Sequence, residues 1–293
     1  MPHLKKTISW WLAQTLSAAL NRLKPEDAQN LGSLFAQRFN SSFTKGLDSF
    51  AQSFIEMRTN FPNKIDQNGE LWLIKATVPH RFTTLFDVGA NIGKWSEFAL
   101  IYHDMATVHA FEIVPATFEI LDSKFSKRER IFLNSLGLSD SIEDVTVYID
   151  DESNLLSSIL DFDNTHNKKR NTINVRVSDG DTYAQNNNIK NIDFLKIDVE
   201  GAESKVLKGF EKLLSRRGIR LIQFEYNRGA IISHFLLRDF YALLTKYGYV
   251  LGWLTPKGVV FRDYELRHEN FVGPNYVACL HNDYELIRSI SEK

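Results

Sequence analysis

Two spacings of apolar residues alternate along the chain from Thr83 onward. Thr83–Val88 is a run of β-branched and aromatic residues with no charge before Asp87, which is typical of a buried parallel strand. Lys94–Tyr102 instead repeats its apolar residues at helical spacing. Because such runs keep alternating through residues 83–280, the pattern predicts a doubly wound α/β domain with a mainly parallel sheet.

This part of the chain is predicted to contain nine strands, four helices and one long polar loop over residues 150–172. The predicted strands are Thr83–Val88, Thr107–Glu112, Ile131–Leu136, Val145–Ile149, Ile173–Ser178, Asp193–Asp198, Ile219–Tyr226, Val250–Leu254 and Tyr276–Leu280. The predicted helices are Lys94–Tyr102, Pro115–Ser126, Ala202–Ser215 and Leu237–Tyr247.

Residues 1–78 show only the helical spacing, so we predict an N-terminal helical segment before a domain over residues 79–293. Proline and acids at Pro25–Asp27 suit the first turn of a helix, and Glu70–Ala76 is predicted to be a short helix after a turn. A stripe of aromatic side chains between these two helices is predicted to be a packing face: Phe35, Phe39, Phe43, Phe50 and Phe54.

Composition narrows the classes of partner. The 293 residues include 35 Lys and Arg against 36 Asp and Glu, a net charge of -1, so no global field attracts nucleic acid. The only compact basic run after the N-terminus is Lys168–Arg170, and we therefore expect no nucleic-acid partner. The single cysteine, Cys279, excludes an intramolecular disulfide and is typical of a protein from a reducing cytoplasm.

Residues 1–24 carry basic but no acidic side chains and repeat apolar residues at helical spacing. We expect this stretch to be a helix that packs on its own protein. Two alternatives remain: an in-plane helix that makes peripheral membrane contact, favoured by Trp10–Trp11, and a secretory signal. No apolar run reaches the ~20 residues that a membrane-spanning helix needs.

The turn that follows the first predicted strand indicates a ligand site. A strand, a glycine turn and a helix N-terminus together let the backbone approach a nucleotide-like ligand closely. Asn91 stands where the dinucleotide fingerprint requires its middle glycine, and the carboxylate of Asp87 disfavours a phosphate. A donor with an ammonium, a sulfonium and a free ribose fits better, and S-adenosylmethionine is such a molecule. Gly89 and Gly93 shape this turn.

Two further strand ends add candidate nucleoside contacts. Glu112 follows the second strand about 20 residues after the glycine turn, where nucleotide-binding α/β folds place a carboxylate that takes two ribose hydroxyls. Ser139 and Asp140 follow the third strand, and Asp140 is either a contact to an adenine amino group or an ordinary turn residue.

The segment Lys196–Glu203 concentrates acids at the end of the predicted strand Asp193–Asp198. Glu203 suits the first turn of the next helix, whereas Asp198 and Glu200 have no comparable structural explanation. Glu225 and Asn227 follow the neighbouring strand. With Asp198 they are possible oxygen ligands of a divalent cation, although binding of substrate hydroxyls without a metal is the favoured alternative.

Five segments of this chain occur together in one known family: Asp87–Gly93, Phe111–Pro115, Leu138–Asp140, Lys196–Gly209 and Phe224–Tyr226. Their combination resembles the FkbM family of methyltransferases over about residues 83–280. The resemblance implies a class I, Rossmann-like fold with a mainly parallel seven-stranded sheet and flanking helices. It also implies methyl transfer from S-adenosylmethionine to a hydroxyl of a glycan, sugar or natural-product small molecule.

The resemblance also implies roles for single positions. Asp87, Gly89 and Gly93 would hold the methionine end of the donor, Glu112 the ribose, and Ser139 with Asp140 the adenine region. The predicted cofactor site is completed by Asn91, Ile113 and Asp198. One departure lies at Ile113–Pro115, where members often carry proline, asparagine and proline.

Methyl transfer to a hydroxyl calls for a positioned base. We predict Asp198 or Glu200 in that role, Glu225 and Tyr226 on the acceptor side, and His234 as a second candidate base. Two other functions remain open: an NAD-dependent oxidoreductase, and a module that binds S-adenosylmethionine without catalysis. The oligomeric state is not predicted.

Overall fold

A computed structural model of the chain describes residues 22, 24–37, 41–60, 64–149, 171–271 and 275–293. The chain divides into two compact units, Met1–Met57 and Arg58–Lys293. The predicted division after residue 78 therefore lies later than the structural one. Residues 64–78 belong to the larger unit because the helix Glu70–Ala76 packs there against Lys94–Tyr102 and Tyr284–Ile290.

The described helices are α1 (Pro25–Ala36), α2 (Ser42–Asn60), α3 (Glu70–Ala76), α4 (Lys94–Tyr102), α5 (Pro115–Phe125), α6 (Gly180–Asn186), α7 (Glu203–Gly209), α8 (Glu211–Ser215), α9 (Gly229–Ser233), α10 (Leu237–Lys246) and α11 (Tyr284–Ile290). The described strands are β1 (Thr84–Val88), β2 (Thr107–Phe111), β3 (Ile131–Asn134), β4 (Gly137–Ser139), β5 (Glu143–Ile149), β6 (Asn171–Asp179), β7 (Ile192–Ile197), β8 (Ile219–Glu225), β9 (Tyr249–Thr255), β10 (Gly258–Phe261) and β11 (Asn275–Leu280).

The main sheet has eight strands in the order β10-β9-β11-β8-β7-β1-β2-β3. Strands β3, β2, β1, β7 and β8 are parallel, whereas β11 is antiparallel to both of its neighbours. This mainly parallel sheet with flanking helices confirms the predicted α/β class I fold. The strand number differs from the expected seven because the hairpin β9–β10 adds a short strand at one edge.

The strand order reverses between β1 and β7, since the chain leaves β1 towards β2 on one side and returns to β7 on the other. In open α/β sheets a crevice forms at the carboxyl ends of the strands at such a point. The apolar runs are explained by burial on both faces. Leu85 and Phe194 belong to one buried cluster, while their neighbours Phe86 and Leu195 belong to the cluster on the opposite face.

A second sheet of three strands, in the order β4-β6-β5, lies outside the main one. Its strand β4 and the edge strand β10 were not predicted, because each is only three or four residues long and follows another strand closely. The predicted helix over Ala202–Ser215 is divided into α7 and α8 around Phe210. The short helices α6, α9 and α11 were also not predicted.

The smaller unit contains α1, which begins at Pro25 as predicted, and most of α2. Phe50 and Phe54 stack on one another with ring centroids 6.4 Å apart, but more than half of each side chain is exposed. They are therefore not part of a buried packing face. Predictions for residues 1–21, for Phe39 and for most of the loop 150–172 fall outside the described residues. No helix in the described part of the chain combines the length and apolarity that crossing a membrane requires.

Candidate active site

A cavity of about 370 Å³ opens at the carboxyl ends of β1, β2 and β7. Pockets for small molecules typically measure ~300–1,000 Å³, so the cavity is large enough for one nucleoside-sized ligand. Its wall contains the turn after β1, the ends of β2 and β4, and the loop after β7. The predicted site residues that line it are Gly89, Asn91, Glu112, Ile113, Ser139, Asp198 and Glu200.

The turn after β1 brings the backbone to the cavity. Gly89 and Ala90 both donate their N–H groups to the carbonyl of Phe111 at the end of β2. Gly89 has a φ of 79°, and a Cβ there would stand 1.8 Å from the carbonyl oxygen of Asp198. Only glycine fits this position, because the backbones after β1 and β7 nearly touch.

Asp87 occupies a different place from the one predicted. Its side chain is fully buried beneath the turn and does not line the cavity. One carboxylate oxygen accepts a hydrogen bond from Ser96 at 2.7 Å, and the other lies 3.2 Å from Nζ of Lys196. Asp87 therefore lies next to Lys196 and outside the cavity wall, and its predicted contact with the donor stays a prediction. Gly93 is the N-cap residue of α4 and is not part of the wall either.

Glu112 is fixed by two backbone donors. One of its oxygens accepts from the N–H of Asn91 and the other from the N–H of Val114, each at 2.8 Å. Burial raises the pKa of Glu112, whereas these two backbone N–H groups oppose the rise. Because a carboxylate oxygen has two lone pairs, each oxygen keeps one acceptor position for a ligand hydroxyl.

The wall beyond Glu112 combines apolar and small polar groups. Ile113 and Ser139 face the cavity, and Ser139 is almost fully buried. Asp140 is exposed, does not line the cavity and accepts a hydrogen bond from the hydroxyl of Ser139 at 3.2 Å. The position of Asp140 therefore favours the alternative of an ordinary turn residue over a direct contact with the adenine.

The loop after β7 is held in place by Glu203. One carboxylate oxygen of this buried residue accepts from the N–H groups of Val199 and Gly201 at 3.1 Å each. Burial raises the pKa of Glu203 to about 7. The structural role predicted for Glu203 is thus visible, and its effect is to present Asp198 and Glu200 at the cavity.

Three carboxylates meet where β7 and β8 end. Asp198, Glu200 and Glu225 each have an oxygen atom within 4.8 Å of the others. Burial, reinforced by the charges of Asp198 and Glu203, raises the pKa of Glu200 to about 8. Burial together with the charges of Asp198 and Glu200 raises the pKa of Glu225 well above its usual value. This cluster can therefore hold and exchange a proton near neutral pH.

Asn227 connects the two glutamates. Its Nδ2 donates to Glu225 at 2.7 Å and to Glu200 at 3.0 Å. Its Oδ1 accepts from the N–H of Gly229 at 2.7 Å, which fixes the orientation of the amide. Because the amide presents N–H groups to the cluster, Asn227 is oriented for binding carboxylates and not for binding a cation.

Besides Asp87, Gly93 and Asp140, three further predicted residues are not part of the cavity wall: Glu225, Tyr226 and His234. Tyr226 is buried and donates its hydroxyl to Glu269, so it does not line the cavity wall. His234 is exposed at the C-terminal end of α9, with a φ of 53°, and it is not part of the wall either. His234 is therefore separate from the wall that contains Asp198 and Glu200.

Two residues of the wall were missed as functional candidates. Lys196 is buried in β7 with its Nζ 3.3 Å from Asp198 and from the carbonyl of Gly89. A lysine inside an apolar strand was a usable signal, because lysine is almost never fully buried without a partner. Glu70 reaches the cavity from α3, and its position in a short helix gave no signal of this kind.

The sequence matches a known protein family. A sequence model of the methyltransferase FkbM domain matches residues 87–251, which is more than half of the chain. No curated protein matches the sequence. Among solved structures, an FkbM methyltransferase from Methylobacillus flagellatus is similar with 15% identity and a TM-score of 0.44. The match covers 68% of this chain and 44% of that one, so the chain spans less than half the length of that protein.

Two further solved structures are similar at the same level. The precorrin-6y C5,15-methyltransferase of Geobacter metallireducens shares 10% identity with a TM-score of 0.36, over 70% of this chain and 86% of its own. The fibrillarin pre-rRNA processing protein of Methanococcus jannaschii shares 13% identity with a TM-score of 0.39, over 69% of this chain and 67% of its own.

Proposed function

The chain belongs to the FkbM methyltransferase family, and on that premise we propose that it transfers a methyl group from S-adenosylmethionine to a hydroxyl of a glycan, sugar or natural-product small molecule. One observation supports this proposal most strongly. The backbone cradle at Gly89 and the fixed carboxylate of Glu112 line one cavity together with the acids after β7.

The residues of the cavity fit S-adenosylmethionine. A Cβ at position 89 would fill the cradle after β1, and Glu112 keeps acceptor positions for two ribose hydroxyls. Ile113 and Ser139 would border the adenine. Because S-adenosylmethionine has no phosphate, the turn after β1 needs no phosphate-binding group. When bound, S-adenosylmethionine supplies an electrophilic methyl group on its sulfonium.

The acceptor side would be formed by Asp198 and Glu200. We propose that Glu200 takes the proton of the acceptor hydroxyl, since a base works best when its pKa is near the working pH. Asp198 is paired with Lys196 at 3.3 Å and remains partly exposed to the cavity, so it can accept a hydrogen bond from the hydroxyl and orient it. Much of the rate enhancement would come from alignment of the two reactants.

Binding is the first test. Calorimetry with S-adenosylhomocysteine should give a defined heat of binding, and NAD should give none. The reverse result would favour the oxidoreductase.

Turnover is the second test. A screen of hydroxylated acceptors with S-adenosylmethionine should yield a product heavier by one CH₂ unit in the mass spectrometer. Binding of the donor without turnover of any acceptor would favour the alternative of a module that binds S-adenosylmethionine without catalysis. Asp198→Asn should then lower turnover while donor binding persists. A turnover rate equal to that of the wild type in this variant would exclude a role of Asp198 in the reaction.

A further inference from the structure

A row of polar side chains crosses β1, β7 and β8, and its middle member, Lys196, lines the cavity. In the register of the sheet, Asp87 of β1 is paired with Lys196 of β7, and Lys196 is paired with Gln223 of β8. Paired residues of neighbouring strands direct their side chains to the same face of a sheet. All three are almost fully buried, so the row is a built feature and not a solvated edge.

Glu70 lies over this row at the start of α3. Its Oε1 accepts a hydrogen bond from Gln223 and its Oε2 accepts one from Asn68, both at 2.7 Å. The preceding Gly69 has a φ of 98°, and a Cβ there would stand 2.3 Å from the carbonyl oxygen of Thr255. The start of α3 is therefore pressed against β9, which fixes the carboxylate of Glu70 in position. Glu70 is one of the residues that line the cavity.

The charges around Lys196 do not balance. Its single ammonium group interacts with the carboxylates of Asp87, Asp198 and Glu70. Burial raises the pKa of Glu70, and Lys196 only partly opposes that rise. A second positive group next to Glu70 would relieve this excess of negative charge, because buried charges are stable only when they are paired.

The strand order says which end of a ligand would reach Glu70. Glu112 follows β2, on one side of β1, whereas Glu70 binds Gln223 of β8, on the other side. A donor whose ribose is held by Glu112 would therefore extend its amino-acid end towards β7 and β8. This end carries an ammonium group.

We propose that Glu70 binds the α-ammonium of the methyl donor and thereby discriminates complete donors from deaminated analogues. This inference rests on the proposed function, because it takes a sulfonium nucleoside as the ligand. It adds a residue before position 87, where the match to the family begins. The site would thus depend on a residue outside the matched segment.

The test compares two ligands, S-adenosylhomocysteine and its desamino analogue, in which hydrogen replaces the amino group. In the wild-type chain, calorimetry should give about tenfold weaker binding of the analogue, as expected when a charged hydrogen bond is lost. In Glu70→Gln the two ligands should bind with similar affinity. Glu119→Gln, an exposed acid of α5 outside the cavity, should keep the wild-type ratio.

A merely structural role gives another result, in which Glu70→Gln weakens both ligands by the same factor and keeps their ratio. This outcome, or equal binding of both ligands to the wild type, would overturn the inference. Should Glu70→Gln fail to fold, Glu70→Asp keeps the charge, and its shorter side chain should reduce the ratio without abolishing it. Failure of both ligands to bind the wild type would overturn the proposed function itself.

Discussion

The two sides of the cavity are built on different physical principles. The side at β1 and β2 is made of backbone and of one carboxylate, Glu112, which is tied by two N–H groups. The side at β7 is made of two carboxylates of like charge, Asp198 and Glu200, which lie within 4.8 Å of a third, Glu225 at the end of β8. Hydrogen bonds hold the first side in one arrangement, whereas the carboxylates of the second side can take up and release protons.

This difference suits a division of labour. A rigid cradle binds the same donor in every cycle, while a cluster with raised pKa values can take up and release a proton. Glu70 and Lys196 also line the cavity. Variants on the first side should therefore change binding, and variants on the second side should change turnover.

The largest effect is expected at the cradle. Gly89→Ala should abolish binding of S-adenosylhomocysteine. The added Cβ would stand 1.8 Å from the carbonyl oxygen of Asp198, so the turn could not keep its conformation. Calorimetry measures the loss. Gly46→Ala in α2 has no atom within 4 Å of the added Cβ and should bind as the wild type does. Normal binding by Gly89→Ala would contradict the cradle.

The second effect is on turnover. Glu200→Gln should lower kcat by about 10²–10⁴-fold, the contribution typical of a general base, while affinity for S-adenosylhomocysteine changes less than about twofold. Steady-state kinetics and calorimetry on the same preparation separate the two quantities. In the wild type, kcat/KM should rise with pH and level off above the pKa of Glu200, which is about 8. This rise should be absent in the variant. A wild-type pH profile in Glu200→Gln would assign the base elsewhere.

The third effect returns to binding. Glu112→Gln should weaken S-adenosylhomocysteine by about 10- to 100-fold, because the new amide group would face the N–H of Asn91 or Val114 and leave a buried donor unpaired. The value of kcat at saturating donor should change little. The exposed Glu119→Gln is the matched control, and an unchanged affinity in Glu112→Gln would exclude the ribose contact.

A smaller effect concerns stability. The pKa of Glu200 is raised in the folded chain, so the folded state binds more protons than the unfolded state between the usual value of 4.5 and about 8. The stabilisation of the protonated form is complete below pH 4.5 and is lost as the pH rises through about 8. Glu200→Gln removes this ionisable group, so it should raise Tm relative to the wild type at pH 9 and much less at pH 5. Each kcal/mol of added folding stability corresponds to a rise of about 2–4 °C in Tm. An equal change of Tm at both pH values would contradict the shift.

The smallest effect is expected from metal removal. Because Asn227 presents its amide N–H groups to Glu200 and Glu225, we predict that the cluster works with protons and without a divalent cation. Turnover should stay within about twofold after treatment with EDTA. Loss of activity that Mg²⁺ restores would show that the cluster binds a cation, with Asn227 reoriented.

Much of the fold could be predicted because its signals are local. The apolar runs of β1, β2, β7 and β8 are long enough to reveal strands buried on both faces, and the helices α3 and α4 were predicted with their observed bounds. Strands β4 and β10 were missed because three or four residues carry too little pattern. The stripe that includes Phe50 and Phe54 was misinterpreted, since periodicity gives a helical face but not what covers it.

By itself the sequence determined the parallel sheet, the glycine turn after β1 and the carboxylates at the ends of β2 and β7, since each is marked within about ten neighbouring residues. Only the tertiary structure decided the partners of these groups. It turned the buried side chain of Asp87 towards Lys196, left His234 outside the cavity wall, and brought Glu70 into a hydrogen bond with Gln223, 153 positions later in the chain. Such contacts depend on the strand order, and strand order follows from packing between distant segments, which no local pattern encodes.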